Sequence, residues 1–254
     1  MTVTLPALDR LVPATAAALD RDGFVCLADA VSADWVERAR AHVEAHLGRH
    51  GHKFFSIIRP ADEAGSPFDE LAHDPQIQGL IRGLTERACP QGVIEHEDVY
   101  NVLRIIAGPD GASGSHEYHY DASVVTMVVP VLMPDYEPGR SGELVAFGNA
   151  RGYRKSVLTN LVEKIATQNR LFWKRAKARI SGPEDPHVRV LEPGNIYLFW
   201  GYRTLHGNLP CRPGMKRATM LLHYGNPHGN DPLLRAIRSF RARVERRRLK
   251  SATA

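Results

Sequence analysis

His119-Tyr120-Asp121-Ala122-Ser123-Val124-Val125-Thr126-Met127-Val128-Val129-Pro130-Val131-Leu132 joins two signals in one stretch. From Ser123 to Leu132 most residues are Val, Thr, Met or Leu, a composition that reads as a strand long enough to be buried on both faces. Ahead of it, His119 and Asp121 stand two residues apart. On extended chain, residues i and i+2 point to the same side, so an imidazole and a carboxylate can reach one metal ion from adjacent pleats. The turn signal Gly108-Pro109-Asp110-Gly111 precedes the pair.

Outward from this stretch the same period recurs. Val99 to Ile106 is β-branched and aromatic, and Leu144 to Phe147, Val188 to Leu191, Asn195 to Trp200 and Arg217 to Tyr224 are further short strands between Pro/Gly turns. The pattern predicts a mainly β protein with flanking helices, built on a double-stranded β-helix of the jelly-roll, cupin-like kind. Nearer the start, Gly23 to Leu27 reads as a short strand. Ser32 offers an N-cap to a helix carrying Val36, Ala39, Val43 and Leu47 on one face, and Pro75 to Ala88 reads as a second helix. Val157, Leu158, Leu161, Val162, Ile165 and Phe172 fall on helical spacing among basic residues, which predicts an inserted helix or helix pair able to cover the barrel mouth.

At 254 residues the chain is expected to form one domain. Residues 1–92 would be a helical and strand region, 93–232 the jelly-roll core with a basic helical insert at 151–180, and 233–254 a basic C-terminal helix. The apolar share of 43% and charged share of 24% exclude the composition of a disordered chain. No apolar run approaches the ~18 residues that span a bilayer, and the first twenty residues lack a basic region followed by an apolar stretch. A cytoplasmic location without membrane contact is therefore expected. Cys26, Cys89 and Cys211 are too few and too scattered for a disulfide framework or a zinc site. The net charge of +5 is uneven: residues 151–180 carry nine Lys/Arg against one acid, residues 235–250 eight against one, and the remainder is acidic. Such segments can steer an anionic partner, although solvated helix faces explain them as simply.

A third metal ligand must come from elsewhere. His206 fits, because it follows the strand ending at Trp200 within the turn-rich Gly201 to Asn208. Two histidines and one carboxylate on one face of an octahedral ion leave three positions open, the facial arrangement of non-haem iron(II) oxygenases. A second HxD pair, His96 and Asp98, precedes a strand that leads into the turn and is the weaker choice. His42 and His46 have zinc-like i, i+4 spacing but no adjacent Glu, and read as a solvated helix face. Eleven residues after His206, Arg217 opens the last strand and can point into the same barrel. There a guanidinium, which stays protonated, needs a carboxylate partner.

These residues resemble the phytanoyl-CoA dioxygenase-like branch of the iron(II)/2-oxoglutarate oxygenases. The resemblance rests on Asp20-Arg21-Asp22-Gly23-Phe24-Val25, His119-Tyr120-Asp121, Gly142-Glu143-Leu144, Pro193-Gly194-Asn195-Ile196-Tyr197-Leu198-Phe199, and His206 with Arg217. It implies that His119, Asp121 and His206 hold Fe(II), that Arg217 anchors the distal carboxylate of 2-oxoglutarate, and that O2 is the second co-substrate. It also nominates Asn101 and Arg104 on the strand before the HxD pair, Asn101 toward the co-substrate and Arg104 toward the substrate. The two alternate onto opposite faces, so both are not expected to serve. Thr219 could hydrogen-bond the co-substrate, whereas Thr126 is expected to pack within its strand.

The activity so implied is a 2-oxoglutarate-dependent dioxygenase releasing succinate and CO2, most simply a hydroxylase. Similar halogenases lack the carboxylate that Asp121 supplies. An amino acid, an acyl thioester or a natural-product intermediate would suit a biosynthetic enzyme, and the basic insert makes an anionic small molecule reasonable. Two other readings stay open: the same chemistry on nucleic acid, with the Arg-rich 235–250 segment on phosphates, and a non-catalytic metal-binding jelly roll.

Overall fold

The computed structural model describes residues 2–93, 99–110, 114–152 and 170–227. His96 and Asp98, the insert between 153 and 169, and the expected C-terminal helix lie outside the described residues. Helices α1 (Leu8–Asp22), α2 (Ala33–His50), α3 (Pro67–Ala72) and α4 (Pro75–Ala88) precede most of the sheet. Among the described residues, nine strands follow one another as β1 (Val25–Leu27), β2 (Phe55–Ile58), β3 (Tyr100–Ile106), β4 (Val125–Leu132), β5 (Leu144–Phe147), β6 (Val188–Arg189), β7 (Ile196–Trp200), β8 (Leu205–Asn208) and β9 (Arg217–Tyr224). A further helix, α5 (Arg170–Lys177), lies between β5 and β6.

Six strands form one antiparallel sheet in the order β1-β7-β4-β9-β3-β2, and three form a second in the order β6-β5-β8. The strand period sorts the larger sheet into two faces. Leu103 and Ile105, Val125 and Met127, Leu198 and Trp200, Met220 and Leu222 bury on one side with α1, α2 and α4. Alternate residues of the same strands face the smaller sheet, so that Val128, Tyr197 and Phe199 pack with Leu144 and Ala146. Two covered faces explain why β4 reads as an uninterrupted apolar run.

Helices α1 and α3 and strand β2 were not predicted. Helix α1 buries Leu11, Thr15, Ala16 and Leu19 at helical spacing within what reads as a merely Ala-rich opening. Gly23 closes it in a left-handed conformation, φ 74°, and packs against Gly148 so tightly that a Cβ would not fit. Helix α3 and strand β2 are short, with only one or two turns or two outward residues to carry a period. Strand β8 corrects a second expectation: His206 stands in a strand rather than in a turn-rich loop.

The described part of the insert also behaves differently from a lid over the mouth. Helix α5 lies on the outer face of the smaller sheet, where Ala176 is buried with Tyr118, Val145, Phe147 and Leu205. Trp173 Nε1 donates to the Tyr118 carbonyl at 3.0 Å. His42 and His46 are half-buried rather than solvated, with rings against Phe68 and Phe55. None of Cys26, Cys89 and Cys211 forms a disulfide. Among the described residues, no helix is long and apolar enough to cross a membrane.

Candidate metal centre

Backbone pairing brings the two distant histidines together. His119 N–H donates to the His206 carbonyl at 2.9 Å and His206 N–H to the His119 carbonyl at 3.0 Å. Residues that exchange both bonds across an antiparallel pair stand directly opposite with side chains on one face. The rings consequently lie 4.5 Å apart, centroid to centroid. Asp121, two residues along from His119, places its carboxylate 3.6 Å from His119 Nε2 and 3.5 Å from His206 Nε2. One ligand atom from each of the three residues falls within 4.8 Å of the others, a grouping able to hold a metal ion.

The imidazoles are oriented for this. His119 Nδ1 meets the Glu117 carbonyl at 2.9 Å and His206 Nδ1 the Thr204 carbonyl at 3.1 Å. A carbonyl only accepts, so each Nδ1 carries the proton and each Nε2 offers its lone pair toward Asp121. Burial pushes the His206 imidazole down to about 4, against the pull of Asp121. Burial alone would raise the Asp121 carboxyl, but His206, His223 and His119 together with the Thr126 hydroxyl outweigh it and hold the group at about 2. Near neutral pH His206 is therefore a neutral imidazole and Asp121 an ionised carboxylate, as metal binding requires.

The same values set a pH dependence for the metal-free protein. His206 has a folded pKa below its ordinary 6.5, so the unfolded chain binds the extra proton between about pH 6.5 and 4. Stability is then present above pH 6.5 and falls as the pH drops through that window, by at most ~1.4 kcal/mol per pH unit from this group. Urea denaturation of chelator-treated protein at pH 7, 6 and 5 measures it, and His206→Gln should flatten the slope.

Thr126 serves the centre rather than only its strand. Its hydroxyl donates to Asp121 Oδ2 at 2.5 Å, because the inward face of β4 lies beneath the HxD stretch. Thr126→Val keeps the shape and removes that bond, and is expected to weaken metal affinity by roughly 10–100-fold in a competition titration. A third imidazole, His223 on β9, was not anticipated. Its Nδ1 lies 3.6 Å from Asp121 Oδ2, 3.2 Å from Thr126 Oγ1 and 3.4 Å from Ser123 Oγ. The available signal was its parity with Arg217 along β9, which puts both on the inward face.

Arg217 and the metal-site residues line one narrow cavity of about 90 Å³, together with Arg104, Thr219 and Asn208. Arg217 is only 2% exposed, and burial lowers its pKa to about 10. Its Nη1 donates to Thr219 Oγ1 at 3.4 Å, but its buried Nε has no hydrogen-bond partner among the described residues. Arg104 faces the same cavity. Burial lowers its pKa too, one Nη donates to the Gly114 carbonyl at 3.1 Å, and its Nε is likewise without a partner. Two buried guanidiniums with orphaned donors form a place for an anionic ligand. Gly142, φ 70°, packs its backbone against Arg217 and Cys211 where a side chain would collide. Glu143 beside it is buried and accepts from Gly139 N and Ser141 N.

Asn101 is a correction. It falls on the opposite face of β3, donates to the Val99 carbonyl at 3.0 Å, accepts from Ala61 N at 3.1 Å, and does not line the cavity. Of the pair on β3, Arg104 is the one that lines the cavity, beside Arg217.

Neither protein-family models nor curated proteins match the chain. Solved structures do. A prolyl 4-hydroxylase from Phytophthora capsici superposes with a TM-score of 0.55 at 17% identity, covering 90% of this chain and 68% of that one. The non-haem α-ketoglutarate-dependent carbocyclase SnoK from nogalamycin biosynthesis gives 0.56 at 13% identity, with 88% and 87% covered. The epimerase SnoN, in complex with Fe3+, α-ketoglutarate and nogalamycin RO, gives 0.53 at 14% identity, with 86% and 84% covered. The fold is thus the jelly roll found in α-ketoglutarate-dependent oxygenases. In this chain it carries a His-Asp-His group able to hold a metal.

Proposed function

We propose that this protein is an iron(II)- and 2-oxoglutarate-dependent dioxygenase of the phytanoyl-CoA dioxygenase-like branch, hydroxylating an unactivated C–H bond of a small molecule in a biosynthetic route. The observation that carries this is the joining of two features in one cavity: the facial group His119, Asp121 and His206, and a buried Arg217 whose Nε has no partner among the described residues. A hydrolytic metal site has no need of a buried guanidinium, whereas a keto-acid with a second carboxylate needs both ends held.

His119 Nε2, His206 Nε2 and one Asp121 oxygen would hold the ion, and Thr126 would keep the other oxygen of the carboxylate in place. Arg217, steadied by Thr219, would take the distal carboxylate through paired N–H donors. The metal, when bound, supplies the redox chemistry that side chains lack. Packing of Phe199, Leu144 and Val128 around the cavity keeps bulk water from the charged groups, which strengthens their hold on the anion. The order of motifs along the chain supports the assignment to this branch.

Anaerobic addition of iron(II) and 2-oxoglutarate tests the reading. A visible charge-transfer band from the chelated keto-acid is expected, together with slow succinate formation on admitting oxygen. Metal binding without the band would favour a structural metal site instead.

A further inference from the structure

Two cavities meet at the metal centre, and they differ in charge. The cavity that reaches Arg217 also contains Arg104. The other, of about 270 Å³, is bounded by Tyr100, Ser123, Tyr224 and Asn226, and shares only Asp121 and His223 with the first. Strands β3 and β9 explain the division. Tyr100 and Arg104 stand on one face of β3, as His223 and Arg217 do on β9, and the register pairs Tyr100 with His223. One end of this strand pair therefore carries two rings, 6.1 Å apart, and the other carries two guanidiniums.

His223 is held so that it can meet a ligand. The single hydroxyl proton of Thr126 goes to Asp121, so the 3.2 Å contact between Thr126 Oγ1 and His223 Nδ1 requires Nδ1–H to donate. That ties Nδ1 to the protein and leaves Nε2 as the remaining polar atom of the ring. The rest of the described wall is polar but uncharged, built of Tyr100, Ser123, Asn226 and Tyr224, whose hydroxyl accepts from Arg82 Nη1 at 2.9 Å. No Lys or Arg stands among the described lining residues, and the one formal charge is the Asp121 carboxylate. An anionic group entering here would lose its water with no cationic side chain among the described lining residues to replace it. A neutral hydroxyl or amide would exchange its water for direct hydrogen bonds. The exposed Lys174, Arg175 and Lys177 lie on α5, behind the smaller sheet, and do not line this cavity.

We propose that the cavity between Tyr100, Ser123, His223 and Asn226 receives the primary substrate, and that the part it takes is uncharged and bears hydroxyl or amide groups. This rests on the oxygenase reading above. The test uses matched pairs, small alcohols against their phosphate monoesters and primary carboxamides against the corresponding carboxylates. Each is added to the anaerobic protein loaded with iron(II) and 2-oxoglutarate, with binding read by calorimetry and by displacement of the visible band. Neutral members are expected to bind at least about tenfold more tightly than their anionic partners. Tyr100→Lys, a change at a half-exposed position, should narrow that ratio at least about fivefold by supplying a cation. Preference for the anionic members, binding of none of the neutral ones, a ratio unmoved by Tyr100→Lys, or a short oligonucleotide that displaces the band would each overturn the proposal while the band itself still stood. Failure of the band to form at all would instead overturn the oxygenase reading, and this proposal with it.

Discussion

Asp121→Ala is expected to strip the centre of its metal and abolish turnover. The carboxylate is the only anion among the three ligands and the one group that touches both imidazole Nε2 atoms, at 3.6 and 3.5 Å. Without it, two neutral imidazoles would hold a divalent cation in a buried site with no compensating charge. Loss of an outer partner of a ligand already costs roughly 10–100-fold in metal affinity, so loss of the ligand should exceed ~100-fold. Metal content after dialysis and anaerobic iron(II) titration measure this, and any 2-oxoglutarate still consumed should be uncoupled from product. The fold should survive, because Asp121 lies outside the strands and its backbone bond to Gly201 is unaffected. Full activity in the variant would remove the basis of the assignment.

Arg217→Met separates stability from function in the opposite direction. In the protein without co-substrate, the guanidinium is buried, its Nε has no partner among the described residues, and Arg104 adds like-charge repulsion. Replacing a poorly compensated buried charge with an apolar chain of similar reach is expected to leave stability unchanged or to raise it by about 1–4 kcal/mol. Affinity for 2-oxoglutarate should meanwhile fall by about 2–5 kcal/mol, which is ~30-fold to several thousandfold, because the distal carboxylate loses its buried partner. Arg217→Lys should restore only part of it, since an ammonium cannot donate two parallel bonds. Denaturation curves and anaerobic titration of the visible band read the two quantities independently. Unchanged co-substrate affinity in both variants would show that Arg217 is no anchor.

The two variants test residues that differ in how they could be read. His119 and Asp121 declare themselves locally, because i and i+2 on a strand share a face whatever surrounds them. His206 and Arg217 follow from their order along the chain after a recognisable strand. Strand β8, which carries His206, does not, because Leu205-His206-Gly207-Asn208 is short and bordered by turn residues. It becomes a strand only by pairing with β5 and by the bridge to His119. Helix α1 was missed for a related reason: an Ala-rich segment shows little periodicity until α4 and the larger sheet decide which of its faces is covered.

Thr126 and His223 mark the limit more clearly. A threonine inside a Val-rich strand has every local reason to be packing, and a histidine at the end of β9 resembles any other. Both acquire a role only because β4 and β9 are neighbours in register, with Thr126 opposite His223, which sets the two side chains against Asp121. Asn101 shows the converse, since its amide is consumed by Val99 and Ala61 on the face away from the cavity.

The sequence by itself determined the strand period, the HxD pair, the order of His206 and Arg217 behind it, and the class of fold, because these depend on alternation and spacing along one chain. Only the tertiary structure decided which of Asn101 and Arg104 faces the cavity, that Thr126 and His223 brace Asp121, and that no cation stands among the described residues lining the cavity beside Tyr100. Those outcomes depend on which strands lie side by side and in what register, and a shift of one residue in that register would turn each of these side chains to the other face.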